Sequence, residues 1–171
     1  KHLKEAVGKL GAAMERYRDA GSWLQLTPRD VDLGSVLEAV ARVAAHTTGA
    51  DVRVEIRAAL PRVRLDVDFM HRALLGLAWH AVGDGQAGSE IEIAAERDPS
   101  AGGGGVIRIG EGDPTAHDER LLRPFKHVAP GRFDLGLARR IVDLHHGSLL
   151  LVESGGRIAA RVTLPAPEAE G

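Results

Sequence analysis

The chain has 171 residues, 44% of them hydrophobic, a formal net charge of -2 and no cysteine. That length suits one compact domain with a small appendage, large enough to bury a core without disulfide or metal staples. The composition excludes disulfides, thiolate metal sites and a cysteine nucleophile. Scattered lysines and arginines argue against a nucleic-acid partner, and no apolar run approaches the roughly 20 residues of a membrane span, so no membrane contact by this segment and a cytoplasmic location are expected.

The chain opens in a helical pattern, as a fragment of a longer protein would, whose other parts could be membrane-associated. Leu3, Val7, Leu10, Met14, Tyr17 and Leu24 recur at alternating spacings of four and three, with Gly21 in the skipped position. This is a heptad seam, and it predicts a helix over residues 1–24 that pairs with a second copy in a homodimer. The bland alternative is an amphipathic helix lying on its own domain. Residues 25–33 read as a linker, because Gly21 weakens the helix and Thr27-Pro28 biases the chain toward extended structure.

A second helix follows, capped by Asp32 or by Ser35, which forms a capping box with Glu38; Val36, Leu37, Val40 and Val43 supply its buried stripe. Val52, Val54 and Ile56 alternate with charged residues in a half-buried strand. Pro61 ends that segment, and Val63, Leu65 and Val67 make the next strand. Met70, Leu74, Leu77, Ala78 and Ala81 fall at helical spacing. Ile91 and Ile93 start a third strand and Val106, Ile107 and Ile109 a fourth, with Gly102 to Gly105 as the hairpin tip. Residues 134–145 are helical. Leu149 to Val152 and Ile158 to Leu164 form strands joined around Gly155-Gly156. The Pro- and Glu-rich tail, residues 167–171, frays. Helices gathered on one face of a mixed, largely antiparallel sheet make a two-layer α+β sandwich over residues 34–166.

Phe133-Asp-Leu-Gly-Leu-Ala-Arg-Arg-Ile-Val-Asp-Leu-His-His-Gly147 resembles the glycine box and following helix of sensor histidine kinases, G-x-G-L-G-L-A-x-x-I-V-x-x-H-G-G. The element order is also that of the histidine-kinase ATP-binding fold, shared with gyrase B, Hsp90 and MutL. The resemblance covers essentially Val31 to Pro165. It implies that residues 1–24 are the second helix of a dimerisation hairpin, and that Arg29-Asp-Val-Asp-Leu33 is the short strand opening the ATP domain.

Set against the family's boxes, the site residues depart one after another. The N box, N-L-x-x-N-A, stands here as Gly76-Leu-Ala-Trp-His-Ala81, with Gly76 and His80 in place of the two asparagines. The second asparagine gives an oxygen to Mg²⁺, a hard cation that an imidazole nitrogen serves poorly. The D-x-G-x-G box stands as Gly110-Glu-Gly-Asp-Pro114: Gly110 replaces the aspartate that accepts from the adenine amino group, and Gly112 keeps the first glycine. Using Glu111 or Asp113 instead would break the strand's alternation. Leu122-Arg-Pro-Phe125 matches the F box, and the lid, about 126–133, is short and lacks a glycine run. Gly136 and Leu137 are retained, but Asp134 replaces a glycine and sets a negative charge where a triphosphate would lie. A lost acceptor alone costs about 1–3 kcal/mol, and each ~1.4 kcal/mol is about tenfold in affinity.

These substitutions point to a kinase-like module that has lost ATP, needs no cofactor or metal, has no catalytic residue, and works by protein–protein contact with a response regulator or a partner histidine kinase. The alternative is a divergent, active kinase binding ATP and Mg²⁺ through His80 and an acidic neighbour. A third reading gives the old cleft a different ligand. Among the other histidines, His2 lacks the proline of a phosphoacceptor motif and reads as a solvated helix start. His71 and His80 lie on opposite faces of one helix and cannot share a metal. His145-His146 reads as a positive helix end-cap.

Overall fold

A computed structural model of the chain describes residues 25–83, 88–100, 102–116 and 135–167. The heptad helix with Leu3, Val7, Leu10, Met14 and Tyr17, the F box, the lid, Phe133 and Asp134 lie outside the described residues, as does His2. The elements run β1 (Arg29–Asp32), α1 (Leu33–Thr48), β2 (Asp51–Arg57), β3 (Arg62–Leu65), α2 (Val67–Val82), β4 (Glu90–Arg97), β5 (Gly105–Ile109), α3 (Leu135–Leu144), β6 (Ser148–Ser154) and β7 (Arg157–Leu164).

Each helix forms for a readable reason. In α1 the residues Leu33, Val36, Leu37, Val40, Ala41 and Ala44 are all buried, the spacing of one helical face. The Asp32 carboxylate accepts from the Ser35 N–H at 3.1 Å and caps the first turn. Asp32 is therefore the cap, and the Ser35–Glu38 box is not the device used. Val43 was expected in the stripe but is 37% exposed; its angular position falls just past the rim that Val36 defines, and Ala44 fills the core instead. At the far end Gly49 takes a left-handed φ of 70°, and its N–H donates to the Ala45 carbonyl, a cap that glycine adopts without strain.

The boundary before α2 also differs from the expectation. Val67 does not extend β3; it is the first residue of the helix, because the Asp66 carboxylate accepts from the Phe69 N–H at 3.1 Å and turns the chain there.

β1 and β3 pair antiparallel as a small separate ribbon. The main sheet has the order β2-β4-β5-β7-β6. β2 runs parallel to β4, which requires a long crossover, here made through β3 and α2; the remaining pairs are antiparallel. One face of this sheet meets the helices. Ile91, Ile93, Ile107, Ile109, Leu151 and Val162 join Leu37, Leu74, Leu77 and Ile141 in a single core. Each such side chain is stabilising by about 1.5–3 kcal/mol when fully buried. The opposite face carries charge: Arg108 sits between Ala94 and Arg161 in register and pairs with Glu96 at 2.8 Å. That hydrogen bond, opposed by partial burial, holds the Glu96 carboxyl below the usual glutamate range. The expected two-layer α+β sandwich, with helices gathered on one face, is the architecture found. Among the described residues no helix is long and apolar enough to cross a membrane.

Candidate functional site

The positions matched to the nucleotide boxes fall on three elements. Gly76 and His80 lie on α2, Gly76 buried and His80 half-buried in the last turn. Gly110 and Gly112 follow β5 directly. Gly136 and Leu137 open α3, where Leu135 is buried and Leu137 packs on the core. α2 packs against both α3 and β7. The fold thus gathers the end of α2 and the end of β5 at one place, with α3 alongside α2.

The geometry at Gly110 is the most specific feature. Its N–H donates to the Glu92 carbonyl at 3.0 Å, and its φ is 91°, a left-handed conformation that side chains other than glycine rarely adopt. A Cβ built there would lie 3.0 Å from the Ile158 carbonyl oxygen, 3.1 Å from the Ala81 Cβ and 3.4 Å from the Ala159 Cα. At the position where the resemblance puts an adenine-contacting carboxylate, a side chain would press on the last turn of α2 and the backbone of β7, which would have to give by a few tenths of an ångström. Gly83, just past α2, closes on the same strand hairpin: a Cβ there would meet the Gly156 carbonyl oxygen at 2.8 Å.

The neighbouring acids do not turn inward. Glu111 and Asp113 are both exposed. The Asp113 carboxylate lies 3.5 Å from the Arg108 guanidinium and 3.4 Å from that of Arg161, which places it on the sheet face away from the helices. Gly112, at φ 97°, has open space around it. Trp79 donates its indole N–H to the Thr47 hydroxyl at 3.0 Å, tying α2 to α1. Among the described residues no cluster of three or more His, Asp or Glu side chains could hold a metal ion.

A second polar group, not singled out from the sequence, sits at the other end of α2. Asp66 is 5% exposed and His145 5% exposed. The Asp66 carboxylate accepts from the Thr27 N–H at 2.9 Å, the Thr27 hydroxyl at 3.1 Å and the Phe69 N–H at 3.1 Å. Burial pushes its carboxyl up, but these donors, with the Asp68 N–H, outweigh it and hold it below the ordinary aspartate range. The Asp66 N–H in turn donates to His145 Nε2 at 2.9 Å, and His145 Nδ1–H donates to the Ile141 carbonyl at 2.7 Å. Because Nε2 accepts, the ring proton is on Nδ1 and the ring is neutral. This corrects the reading of His145 as a positive end-cap.

The end of α3 is closed by its backbone. The His146 N–H donates to the Asp143 carbonyl and the Gly147 N–H to the Val142 carbonyl, each at 3.0 Å, the two bonds of a Schellman motif. His146 takes the left-handed position, φ 58°. The signal for Asp66 was present as an aspartate directly before a helically spaced apolar run; nothing local signals its partnership with His145.

No protein-family model matches the chain, and no curated protein matches it. Solved structures do. The histidine kinase AdeS of Acinetobacter baumannii superposes with a TM-score of 0.69 at 17% identity, over 98% of this chain and 84% of that one. The ATP-binding domain of PrrB from Mycobacterium tuberculosis gives 0.60 at 21% identity, over 82% and 98%. Histidine kinase ThkA, solved in complex with the response regulator protein TrrA, gives 0.71 at 16% identity, over 96% of this chain and 49% of that one. The fold built by these residues is the fold of histidine kinase catalytic domains.

Proposed function

We propose that the chain is a catalytic-domain-like module of a sensor histidine kinase that has lost ATP binding and acts in two-component signalling by protein–protein contact. The observation that carries this is Gly110. Where the family resemblance calls for a carboxylate, the residue has no side chain, the backbone is left-handed, and a Cβ would crowd Ala81 and β7. Gly76 and His80 in place of two asparagines take away the oxygen ligand that Mg²⁺ would use. The residues present therefore do not fit ATP·Mg²⁺, and no phosphoryl-transfer step is assigned to them.

The partner is a response regulator or a second histidine kinase. The ThkA structure holds a response regulator, and its fold is the one described here. Homodimerisation through residues 1–24, along Leu3, Val7, Leu10, Met14 and Tyr17, completes the reading.

Isothermal titration of the full chain with Mg-ATP tests it. No heat of binding up to millimolar nucleotide is the expected result. Micromolar binding would overturn the proposal in favour of a divergent kinase, in which His80 and the retained Gly136-Leu137 serve the nucleotide. The partner claim is tested separately, by retention of response regulators on the immobilised chain.

A further inference from the structure

We infer that Asp66 and His145 form a buried bridge that couples the chain entering the domain, at Thr27, to the glycine-box helix α3. It goes beyond the reading above and holds whether or not nucleotide binds.

Three segments far apart in sequence meet at one aspartate. Thr27 lies 39 residues before Asp66, and His145 lies 79 residues after it. Thr27 supplies two of the donors that satisfy the buried carboxylate, its N–H and its hydroxyl. The backbone N–H of Asp66 supplies the only hydrogen that His145 Nε2 is seen to accept among the described residues. His145 then returns its other ring nitrogen to the Ile141 carbonyl on α3. Each link is short; Asp66 and His145 are nearly sealed from water and the bond between them is buried, so no solvent molecule readily replaces it, while the Thr27 contacts lie at the part-buried edge.

The arrangement transmits rather than merely holds because of where Thr27 sits. Thr27 is exposed, and it directly precedes Pro28, whose ring keeps Thr27 extended. A pull on the residues before Thr27 is therefore not absorbed by a soft turn. It withdraws two donors from a buried carboxylate. The carboxylate then has to turn, and Asp66 is also the cap that orients the first turn of α2. Its own N–H moves with it, and His145 and the end of α3 follow. The contact seen here is one state; the coupling requires a second, with the Thr27–Asp66 bonds broken.

The test is amide hydrogen exchange, resolved residue by residue by NMR on the full chain. Thr27→Val is a mild change at an exposed residue; it removes the hydroxyl donor and keeps the N–H. It should speed exchange of the His145, His146 and Gly147 amides by about threefold to tenfold, the effect of one net hydrogen bond. The His145 ring ¹⁵N shifts should move in the same variant. His145→Phe, read in reverse, should speed the Thr27 amide by about tenfold. The Ile107 and Val162 amides in the central sheet should hold their rates in both variants. Acceleration confined to the neighbourhood of Thr27 and Phe69, with the end of α3 unchanged, would overturn the proposal. So would an equal acceleration at the sheet amides, which would mean general destabilisation.

Discussion

The two ends of helix α2 solve opposite problems. Its N-terminal end, at Asp66, is buried and polar: a carboxylate with three donors, a backbone N–H on a histidine ring, and links to the incoming chain and to α3. Its C-terminal end, at Ala81 and Gly83, packs closely against Gly110, Gly156 and the backbone of β7, with the Trp79 indole bonded to Thr47 beside it. In the fold this chain shares, the second end is where the resemblance places nucleotide chemistry. At one end of the helix a buried carboxylate ties three segments together; at the other, small residues let backbones approach closely. Packing of small residues suffices to close a layer; an aspartate is needed where a helix must be capped and a buried donor satisfied.

Emptying the polar end should cost the most stability. Asp66→Ala removes a helix cap, worth about 1 kcal/mol, and leaves donors unmatched in a buried setting, at about 1–3 kcal/mol. A loss of roughly 3 kcal/mol in urea unfolding is expected. A cost below about 1 kcal/mol would show that the N-terminal end is not the anchor.

Refilling the other end is the complementary experiment. Gly110→Asp restores the residue the family resemblance calls for. The left-handed backbone costs about 1–2 kcal/mol for a side chain, and the Cβ would press on Ala81 and the Ile158 carbonyl. A destabilisation of about 2 kcal/mol, with no gain of Mg-ATP affinity by titration, is expected. A stable variant that binds nucleotide would mean that the C-terminal end remains a site missing one group.

Acid should weaken the polar end. Burial raises the Asp66 carboxyl but its donors lower it by more, so its folded pKa lies below the unfolded one. The unfolded state then takes up the proton first as pH falls. The stabilisation is fully present above the ordinary aspartate pKa, about 3.9, and is lost as pH drops through the lower folded value. Comparing pH-dependent unfolding of the wild type with Asp66→Asn isolates this part: the difference between them should shrink in that acid window and stay flat above it. A difference that instead grows on acidification would contradict the hydrogen-bond assignment.

How far these features were legible in the sequence depends on whether they are local. The stripe of α2, that of α1 apart from Val43, the alternating strands around Ile91, Ile107 and Val162, and the hairpin at Gly155-Gly156 follow from side-chain periodicity. Val67 was misread because alternation with Val63 and Leu65 continues through it; the Asp66 cap decides the boundary, and capping competes with periodicity at such junctions. Val43 fails by a few tens of degrees of helical angle, which no spacing rule resolves. Gly76, His80 and Gly110 were recognisable as departures because a box is a local string. The crowding at Gly110 is not local, since it depends on Ala81 and on Ile158 and Ala159 arriving from elsewhere. The bond between Asp66 and His145 is hidden for the same reason, 79 residues apart with no shared period.

The smallest effect lies at the end of α3 and sharpens the polar end's role. His146 occupies the left-handed position of the Schellman motif at φ 58°, where the family resemblance has glycine. Its side chain is exposed, and its N–H bond to Asp143 comes from the backbone, so glycine keeps the hydrogen bond and removes the Cβ strain. His146→Gly should therefore stabilise the domain, by about 0.5–1 kcal/mol after the added freedom of the unfolded chain is subtracted. Thermal unfolding checks the sign. If the strained backbone at His146 also loosens the seat of His145, the same variant should slow exchange of the Asp66 amide, because the ring that accepts its hydrogen sits one residue away. A stabilised variant with an unchanged Asp66 amide would confine the strain to the helix end and leave the bridge to Thr27 mechanically separate from it.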